Sequence, residues 1–306
     1  MYEIAVNAYS KFNVHPSPKE ALEICILRML AFNPINTISQ EKNATRIEKK
    51  NPISNRGINK KVDEIKPADW DIEVPDFKIK GREWLKSQVS RAFLPKYFPG
   101  YVKYLWIDAD AWVNSWESIE LYFKGCENNK LSIATSADRA YGRVLRAEWV
   151  FGSFARIKSQ NYKHAKSSGF SEKIAREVAL KPHLNIGVFA LEANAKHWEV
   201  WQSNLKKALS SGKIWGSEQI AMNITIYSNN LPVEILPAYC NWTHIGGMKF
   251  DKNKNTLVEP YLPNHEIGIV HFAGKNNDQI RNDKNFISKI ETLDGDLIKK
   301  KLRFLK

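Results

Sequence analysis

Residues 101–113 read YVKYLWIDADAWV, an apolar run that ends in two carboxylates separated by one residue. A short run of this kind is typical of a strand covered on both faces, as in a parallel sheet, so we predict a strand over residues 101–107. Similar runs at 131–135, 184–191, 233–236 and 268–272 alternate with amphipathic stretches that predict helices at 82–93, 116–124, 171–180, 194–211 and 216–227. This alternation predicts an α/β fold with a mostly parallel sheet flanked by helices.

Composition narrows the function classes only modestly. The 306 residues are 43% hydrophobic and 26% charged, as in ordinary globular chains, and Lys plus Arg exceed Asp plus Glu by 46 to 33. The three cysteines form no CxxC pair, which argues against a zinc ribbon or a disulfide framework and favours a reducing compartment. With no membrane-spanning run and no signal-peptide pattern, we expect a cytoplasmic protein.

The pair Asp108 and Asp110 is the strongest candidate for chemistry. Two further Asp-x-Asp pairs occur, at 69–71 and 294–296, but only this one ends a predicted central strand. Ligands bind beyond the carboxyl ends of strands in α/β sheets, and side chains two apart point the same way. Two adjacent anions repel unless a positive group lies between them, so we predict a cation site. The alternative is a strand-end turn with two solvated carboxylates.

His271 ends the predicted strand 268–272 and is a candidate third ligand, although a histidine there can also be a packing residue. Two carboxylates and one imidazole leave about half of an octahedral shell open. This set of ligands suits Mn²⁺, with Mg²⁺ next.

Four segments resemble nucleotide-sugar glycosyltransferases with the GT-A fold, nearest the family-eight, galactosyltransferase-like group. They are LPKYFPGYVKYLWIDADAWV with the metal motif, HLNIGVFAL, GSEQIAMN and IVHFAGK, in the family's order across residues 84–275. The resemblance implies a GT-A-like fold and a metal-dependent hexosyltransferase. Its donor would be a nucleotide sugar, in this case a UDP-sugar.

The resemblance also implies roles for individual residues. Asp108, Asp110 and His271 would hold the metal, and Asp108 would also face the ribose. Asn185 would contact the donor sugar or the acceptor near the reacting carbon. The other residues that the resemblance places at the donor are Glu218, Gln219 and Asp138 at the sugar and Gly274 and Lys275 at the diphosphate. Gln219 matches the glutamine beneath the anomeric carbon of retaining members. Lys275 departs from the family pattern, because Asn276 and not Pro-Trp follows it.

The sequence is compatible with retention or with inversion of the anomeric configuration of the sugar. A retaining enzyme would use Gln219 near the reacting carbon and the leaving phosphate as proton acceptor. An inverting enzyme would need a carboxylate base, for which Glu218 and Asp138 are the candidates.

The ends of the chain differ from the centre. We predict an atypical N-terminal part at 1–80, which corresponds to a degraded or incomplete nucleotide-binding half, a catalytic core at 81–280 and a basic C-terminal helix at 281–306. The basic and apolar tail would suit peripheral contact with a membrane and a saccharide or lipid-linked acceptor. An inactive sugar- or nucleotide-binding relative is the alternative. A nucleic-acid-binding protein is a further one, but no known nucleic-acid motif occurs and we expect no nucleic-acid partner.

Overall fold

The computed structural model describes residues 30–32, 64–136, 145–150, 152, 154–243, 247–273, 280, 283 and 285–302. Its α-helices are α1 (Asp76–Ile79), α2 (Lys86–Ser90), α3 (Leu94–Tyr97), α4 (Trp116–Gly125), α5 (Gln160–Ser167), α6 (Glu172–Val178), α7 (His197–Ser211) and α8 (Ser217–Tyr227). Single 3₁₀ turns lie at Glu83–Leu85, Arg91–Phe93, Glu127–Asn129 and Ala238–Asn241.

The described strands form four sheets. They are β1 (Leu30–Phe32), β2 (Lys103–Ile107), β3 (Ala111–Val113), β4 (Leu131–Thr135), β5 (Leu145–Val150), β6 (Phe154–Ser159), β7 (Leu184–Glu192), β8 (Val233–Leu236), β9 (Trp242–Thr243), β10 (Lys249–Asp251), β11 (Thr256–Val258), β12 (Ile269–His271), β13 (Ser288–Thr292) and β14 (Leu297–Lys300). The chain is therefore a mixed α/β protein, as the alternating pattern predicts.

The largest sheet has the order β1-β2-β7-β4-β8, and its direction differs from the prediction. Within the described strands, β1–β2, β2–β7 and β4–β7 pair antiparallel and β4–β8 pairs parallel. The predicted mostly parallel sheet is thus wrong for this part of the chain. A continuous apolar run indicates that a strand is buried on both faces. An antiparallel strand between two layers of helices is buried on both faces as well, so the run does not indicate strand direction.

Helices cover both faces of this sheet. On one face, the side chains of α7 and α8 pack with Trp106, Phe189 and other residues of β2, β4 and β7. On the opposite face, Ile119 and Tyr122 of α4 pack against Leu105 and Val188. The sheet is therefore buried on both sides, and its ends are the places where polar groups can reach a ligand.

A three-stranded sheet, β3-β12-β9, continues from the end of β2. β12 pairs antiparallel with β3 and parallel with β9, so that His271 lies opposite both Ala111 and Thr243. This pairing brings the late part of the chain against the residues that follow Asp108.

The C-terminal segment forms a hairpin in place of the predicted basic helix. β13 and β14 pair antiparallel, with Ser288 opposite Lys300, and Gly295 has the positive φ of 91° in the connecting turn. β13 alternates buried and exposed side chains, a period of two that a helix would not produce. The Asp-Gly turn together with this alternation is the signal for a hairpin.

Several local predictions are confirmed. The helix predicted at 171–180 appears as α6, with the Ser171 hydroxyl accepting a hydrogen bond from the Ile174 amide, and α4, α8, β4 and β8 lie where predicted. Residues 82–93 form two 3₁₀ turns around α2 and not one regular helix. In the described parts of the chain, no helix combines the length and the apolar character needed to cross a bilayer. The three-part division of the chain stays a prediction.

The aromatic cluster under the sheet gives a test of this packing. Trp201 is fully buried, its ring centroid lies 5.5 Å from that of Phe189, and its indole N–H donates to the Glu218 carbonyl at 2.9 Å. We expect Trp201→Ala to lower the free energy of unfolding by about 3–5 kcal/mol in urea denaturation. Trp149 in β5 is 75% exposed, so Trp149→Ala should change it by less than about 0.5 kcal/mol. Equal losses for the two variants would contradict the packing described here.

Candidate metal and donor site

A tight turn at the end of β2 presents the two aspartates. The Asp108 amide donates to the Gly187 carbonyl at 2.8 Å, which extends the pairing of β2 with β7 by one residue. The Ala111 amide then donates to the Asp108 carbonyl at 3.0 Å and closes the turn before β3. Asp108 and Asp110 are therefore held by backbone hydrogen bonds at the edge of the main sheet, and not in a loose loop.

The pairing of β12 brings His271 to the same place. The Phe272 amide donates to the Asp110 carbonyl at 2.9 Å, which fixes the end of β12 against the turn. The Nε2 atom of His271 lies 3.2 Å from Oδ1 of Asp110 and 3.8 Å from Oδ2 of Asp108. One ligand atom from each of the three residues lies within 4.8 Å of the others, so together they could hold a metal ion.

Asn241 sets the orientation of the His271 ring. The Nδ1 atom of His271 lies 2.9 Å from Oδ1 of Asn241, and both side chains are buried. An amide oxygen only accepts, so Nδ1 carries a proton and Nε2 faces the two carboxylates. Histidines that bind a metal through one ring nitrogen usually donate a hydrogen bond from the other, as Nδ1 of His271 does to Asn241.

Arg91 and Trp106 hold one oxygen of Asp108. Oδ1 of Asp108 accepts from Nε1 of Trp106 at 2.6 Å and lies 3.3 Å from Nη2 of Arg91. Arg91 lies over the Trp106 ring at 5.0 Å and donates to the Ile186 carbonyl at 3.3 Å. Because these contacts take Oδ1, the other oxygen of Asp108 is directed toward His271 and Asp110.

The protonation of the site follows from burial and from the neighbouring charges. Burial raises the pKa of Asp108, and the positive charges of Arg91 and His271 oppose that rise. Burial alone would lower the pKa of His271, but its hydrogen bond to Asp110 and the charges of Asp110 and Asp108 raise it overall. A divalent cation that binds here must therefore displace protons from these groups.

Gly187 makes room for the side chains of His271 and Asp108. A Cβ atom at this position would lie 2.3 Å from Cε1 of His271 and 2.9 Å from Oδ2 of Asp108. Any larger residue would push the imidazole away from the aspartates. Asn185, two residues earlier in β7, accepts a hydrogen bond from the Gly187 amide at 3.0 Å through its side-chain oxygen, and so supports this stretch of backbone.

Glu218 lies at the start of α8 and is 6% exposed. Burial raises its pKa to about 7; the Arg91 charge opposes this rise, and the Asp108 charge adds to it. Its Oε2 atom is buried and has no hydrogen-bond partner within the described structure. A buried carboxylate oxygen without a protein partner is unusual and indicates that a ligand or water supplies the missing donor.

Gln219 reaches the first residue of β7. Its side-chain nitrogen donates to the Leu184 carbonyl at 3.0 Å and lies 2.6 Å from Nε2 of His183. Since Leu184 lies three residues before Gly187 in the same strand, Gln219 and the aspartates lie at one edge of the main sheet.

Three predicted residues cannot be placed relative to the site. Asp138, Gly274 and Lys275 fall outside the described residues, so their roles at the donor stay predictions. Arg91, Trp106 and Asn241 were not predicted as site residues. Arg91 is a charged residue close to the apolar residues Val89, Ala92 and Phe93, and this is the one sequence signal that could have indicated it.

Comparison with known proteins finds a distant structural likeness to a glycosyltransferase. No protein-family model matches the sequence, and no curated protein matches it. Among solved structures, the chain is similar to the apo structure of the bifunctional glycosyltransferase WbbM, with 19% identity and a TM-score of 0.38 over 65% of this chain. The match spans 35% of the WbbM chain. A TM-score this low does not establish a shared fold.

The ligand set can be tested by direct metal binding. Asp110→Asn should weaken Mn²⁺ binding, measured by calorimetry, by more than the 10- to 100-fold that loss of a supporting contact costs at metal sites. Asp294 is the matched control, because it belongs to another Asp-x-Asp pair and its side chain is 69% exposed. Asp294→Asn should bind Mn²⁺ like the unmodified protein. Unchanged binding in the Asp110 variant would exclude this site.

The raised pKa values predict how metal binding depends on pH. Because His271 and Asp108 hold protons to higher pH than usual, Mn²⁺ affinity should increase from pH 6 to pH 8. Each displaced proton contributes up to about a tenfold change per pH unit. Calorimetry in buffers of different ionisation enthalpy would count the protons released. An affinity that stays constant over this range would contradict the assigned ligands.

Proposed function

We propose that the protein is a metal-dependent glycosyltransferase that moves a hexose from a nucleotide-diphosphate donor, a UDP-sugar, to a hydroxyl acceptor with retention of configuration. The observation that carries this proposal is the convergence of Asp108, Asp110 and His271 at one edge of the main sheet. His271 lies more than 160 positions after the two aspartates in the sequence, and its place beside them supports the ligand set that the resemblance implies.

The site fits a hard divalent cation. Two carboxylates and one imidazole would hold Mn²⁺, or Mg²⁺ in its place, and Gly187 leaves space beside them. When bound, the cation would stabilise the negative charge that develops on the departing diphosphate. Gly274 and Lys275 would meet the same diphosphate, a role that rests on the resemblance alone.

Glu218 and Arg91 are suited to the sugar. The unpartnered carboxylate oxygen of Glu218 can accept a hydrogen bond from a donor hydroxyl, and Nε of Arg91 is likewise buried without a partner within the described structure. Asn185 and Asp138 would complete the contacts to the sugar or the acceptor. Arg91 also balances part of the negative charge of Asp108, and this keeps that carboxylate available as a ligand.

In the proposed reaction, the bond between the anomeric carbon and the diphosphate oxygen breaks, and the acceptor oxygen forms a bond to the same carbon. Gln219 lies near that carbon, and the leaving phosphate takes the proton of the acceptor hydroxyl. The raised pKa of Glu218, about 7, supports one rival, an inverting reaction in which this carboxylate is the general base. NMR of the product distinguishes the two, because its anomeric configuration is opposite in the inverting case.

The partners of the reaction are proposals of the same kind. A saccharide or lipid-linked acceptor would suit a basic protein at the inner face of a membrane. In the C-terminal hairpin, Leu297 is 71% exposed on β14, which also carries Lys299 and Lys300, and Lys301 follows directly. Co-sedimentation of the protein with vesicles of anionic lipid, above that with neutral vesicles, would support this contact. Equal co-sedimentation with anionic and neutral vesicles would exclude it.

A donor screen tests the function directly. The protein would be incubated with Mn²⁺ and a set of nucleotide sugars, with and without simple saccharide acceptors, and release of the nucleoside diphosphate would be measured. We expect release with one UDP-sugar, and loss of that release in Asp110→Asn but not in Asp294→Asn. Metal-dependent UDP binding with no turnover would identify an inactive relative, and salt-dependent DNA binding without UDP binding would favour a nucleic-acid-binding protein.

Glu218→Gln gives a prediction for both affinity and stability. The ionised carboxylate is the stronger acceptor, so the KM for the donor should fall as the pH rises through about 7 in the unmodified enzyme. At Mn²⁺ concentrations that saturate the site throughout this pH range, the KM in Glu218→Gln should be about tenfold higher above pH 7, with that pH dependence removed.

Stability should move in the opposite direction to affinity. The pKa of Glu218 is raised on folding, so the unfolded chain loses its proton first and stability falls as the pH rises from 4.5 to about 7. Glu218→Gln should therefore be more stable than the unmodified protein by a margin that grows over this range and then stays constant. A margin that is the same at pH 5 and pH 8 would show that Glu218 is not a buried carboxyl of raised pKa.

A further inference from the structure

The side chains of Asn161, His183 and Gln219 form a row of polar contacts beside the site, and the orientation of Asn161 at one end is fixed by the backbone. Its side-chain nitrogen donates to two carbonyl groups, that of Val178 at 3.1 Å and that of Lys181 at 2.9 Å. Both partners can only accept, so the orientation of the Asn161 amide is determined. Its oxygen therefore points the other way, and lies 2.5 Å from Nδ1 of His183.

This contact determines the tautomer of His183. The Asn161 oxygen is an acceptor, so Nδ1 of His183 carries the proton and Nε2 has the free electron pair. His183 is 2% exposed. Burial, with a smaller contribution from His164, lowers its pKa to about 3, so the ring stays neutral in the physiological range. His183 is thus a donor toward Asn161 and an acceptor toward Gln219.

The orientation of Gln219 follows from the same reasoning. Its side-chain nitrogen lies 2.6 Å from Nε2 of His183 and 3.0 Å from the Leu184 carbonyl, and both of these atoms accept. The amide N–H bonds must therefore face them, and the amide oxygen faces away. Within the described structure, no hydrogen-bond donor contacts that oxygen.

We infer that Asn161 and His183 are positioning residues that hold the Gln219 amide with its oxygen toward the reacting sugar. This inference rests on the proposed function. Sugar transfer develops positive charge at the anomeric carbon, and a fixed dipole with its negative end toward that carbon stabilises the charge without reorganisation. With the opposite tautomer of His183, an N–H would face the Gln219 N–H, so the amide would have to give up its bond to the Leu184 carbonyl and turn, which would present its positive end. The row Asn161, His183 and Gln219 therefore sets the sign of the dipole that the site presents.

Two substitutions of His183 separate positioning from simple packing. His183→Gln can place an acceptor where Nε2 lies, whereas His183→Asn keeps the donor toward Asn161 and loses the acceptor toward Gln219. We expect His183→Asn to lower kcat by about 10- to 100-fold, with the donor KM within about threefold of the unmodified value. His183→Gln should recover most of kcat. Equal loss of kcat in both variants, in proportion to their loss of thermal stability, would overturn the positioning role.

The tautomer can be measured without any activity. Nitrogen-15 NMR of the histidine side chains, with the His183 signals assigned by their loss in His183→Gln, should show Nδ1 protonated and Nε2 unprotonated from pH 5 to pH 8. The Nε2-protonated form would overturn the inference whether or not the protein is a transferase. If the predicted tautomer is found but no donor is turned over, the proposed function fails while the arrangement of the three side chains stands.

Discussion

The pairing of β12 with β3 is the constraint on which the candidate site depends. Asp108 and Asp110 belong to the end of the main sheet, and His271 belongs to a strand more than 160 residues later in the chain. The register that places His271 opposite Ala111 brings the imidazole to the aspartates. Because side chains alternate along a strand, a slip of one residue would turn His271 to the opposite face and leave no third ligand.

Electrostatics explains why such a site requires a cation or protons. The charge of Asp108 raises the pKa of Glu218, and the guanidinium of Arg91, 3.3 Å from Asp108, acts to lower the pKa of both carboxyl groups. Burial raises the pKa of Asp108 and Glu218, and at His271 the effect of burial is outweighed by the hydrogen bond and charge of Asp110, so all three groups hold protons to higher pH than usual. Buried carboxyl groups lower the stability of the folded protein, and proteins keep them mainly at functional sites. Asp108 and Glu218 are therefore suited to bind a cation or a polar ligand.

The sequence predicts the grouping of Asp108, Asp110 and His271 better than it predicts the sheet that carries them. Asp108 and Asp110 follow one apolar strand and His271 ends another, so the rule on strand ends indicates all three as candidates. Strand direction leaves no such trace, because the burial of β2 on both faces is the same beside parallel or antiparallel neighbours. Arg91, Asn161 and His183 act through partners that are distant in sequence, and their roles become visible only when those contacts are known.

The antiparallel direction of β7 gives the site a property that a parallel sheet would lack. Its amino end, and not its carboxyl end, meets the carboxyl end of β2, because Ile107 lies opposite Val188. The first residues of β7 therefore serve the site in succession: the Leu184 carbonyl anchors Gln219, and Gly187 leaves room for His271. His183 immediately precedes the strand, so the residue that orients Gln219 and the glycine that admits the metal ligands are fixed by one segment of backbone. A shift of this segment would disturb the Gln219 amide and the group of Asp108, Asp110 and His271 together, so the backbone of β7 couples the two parts of the candidate site.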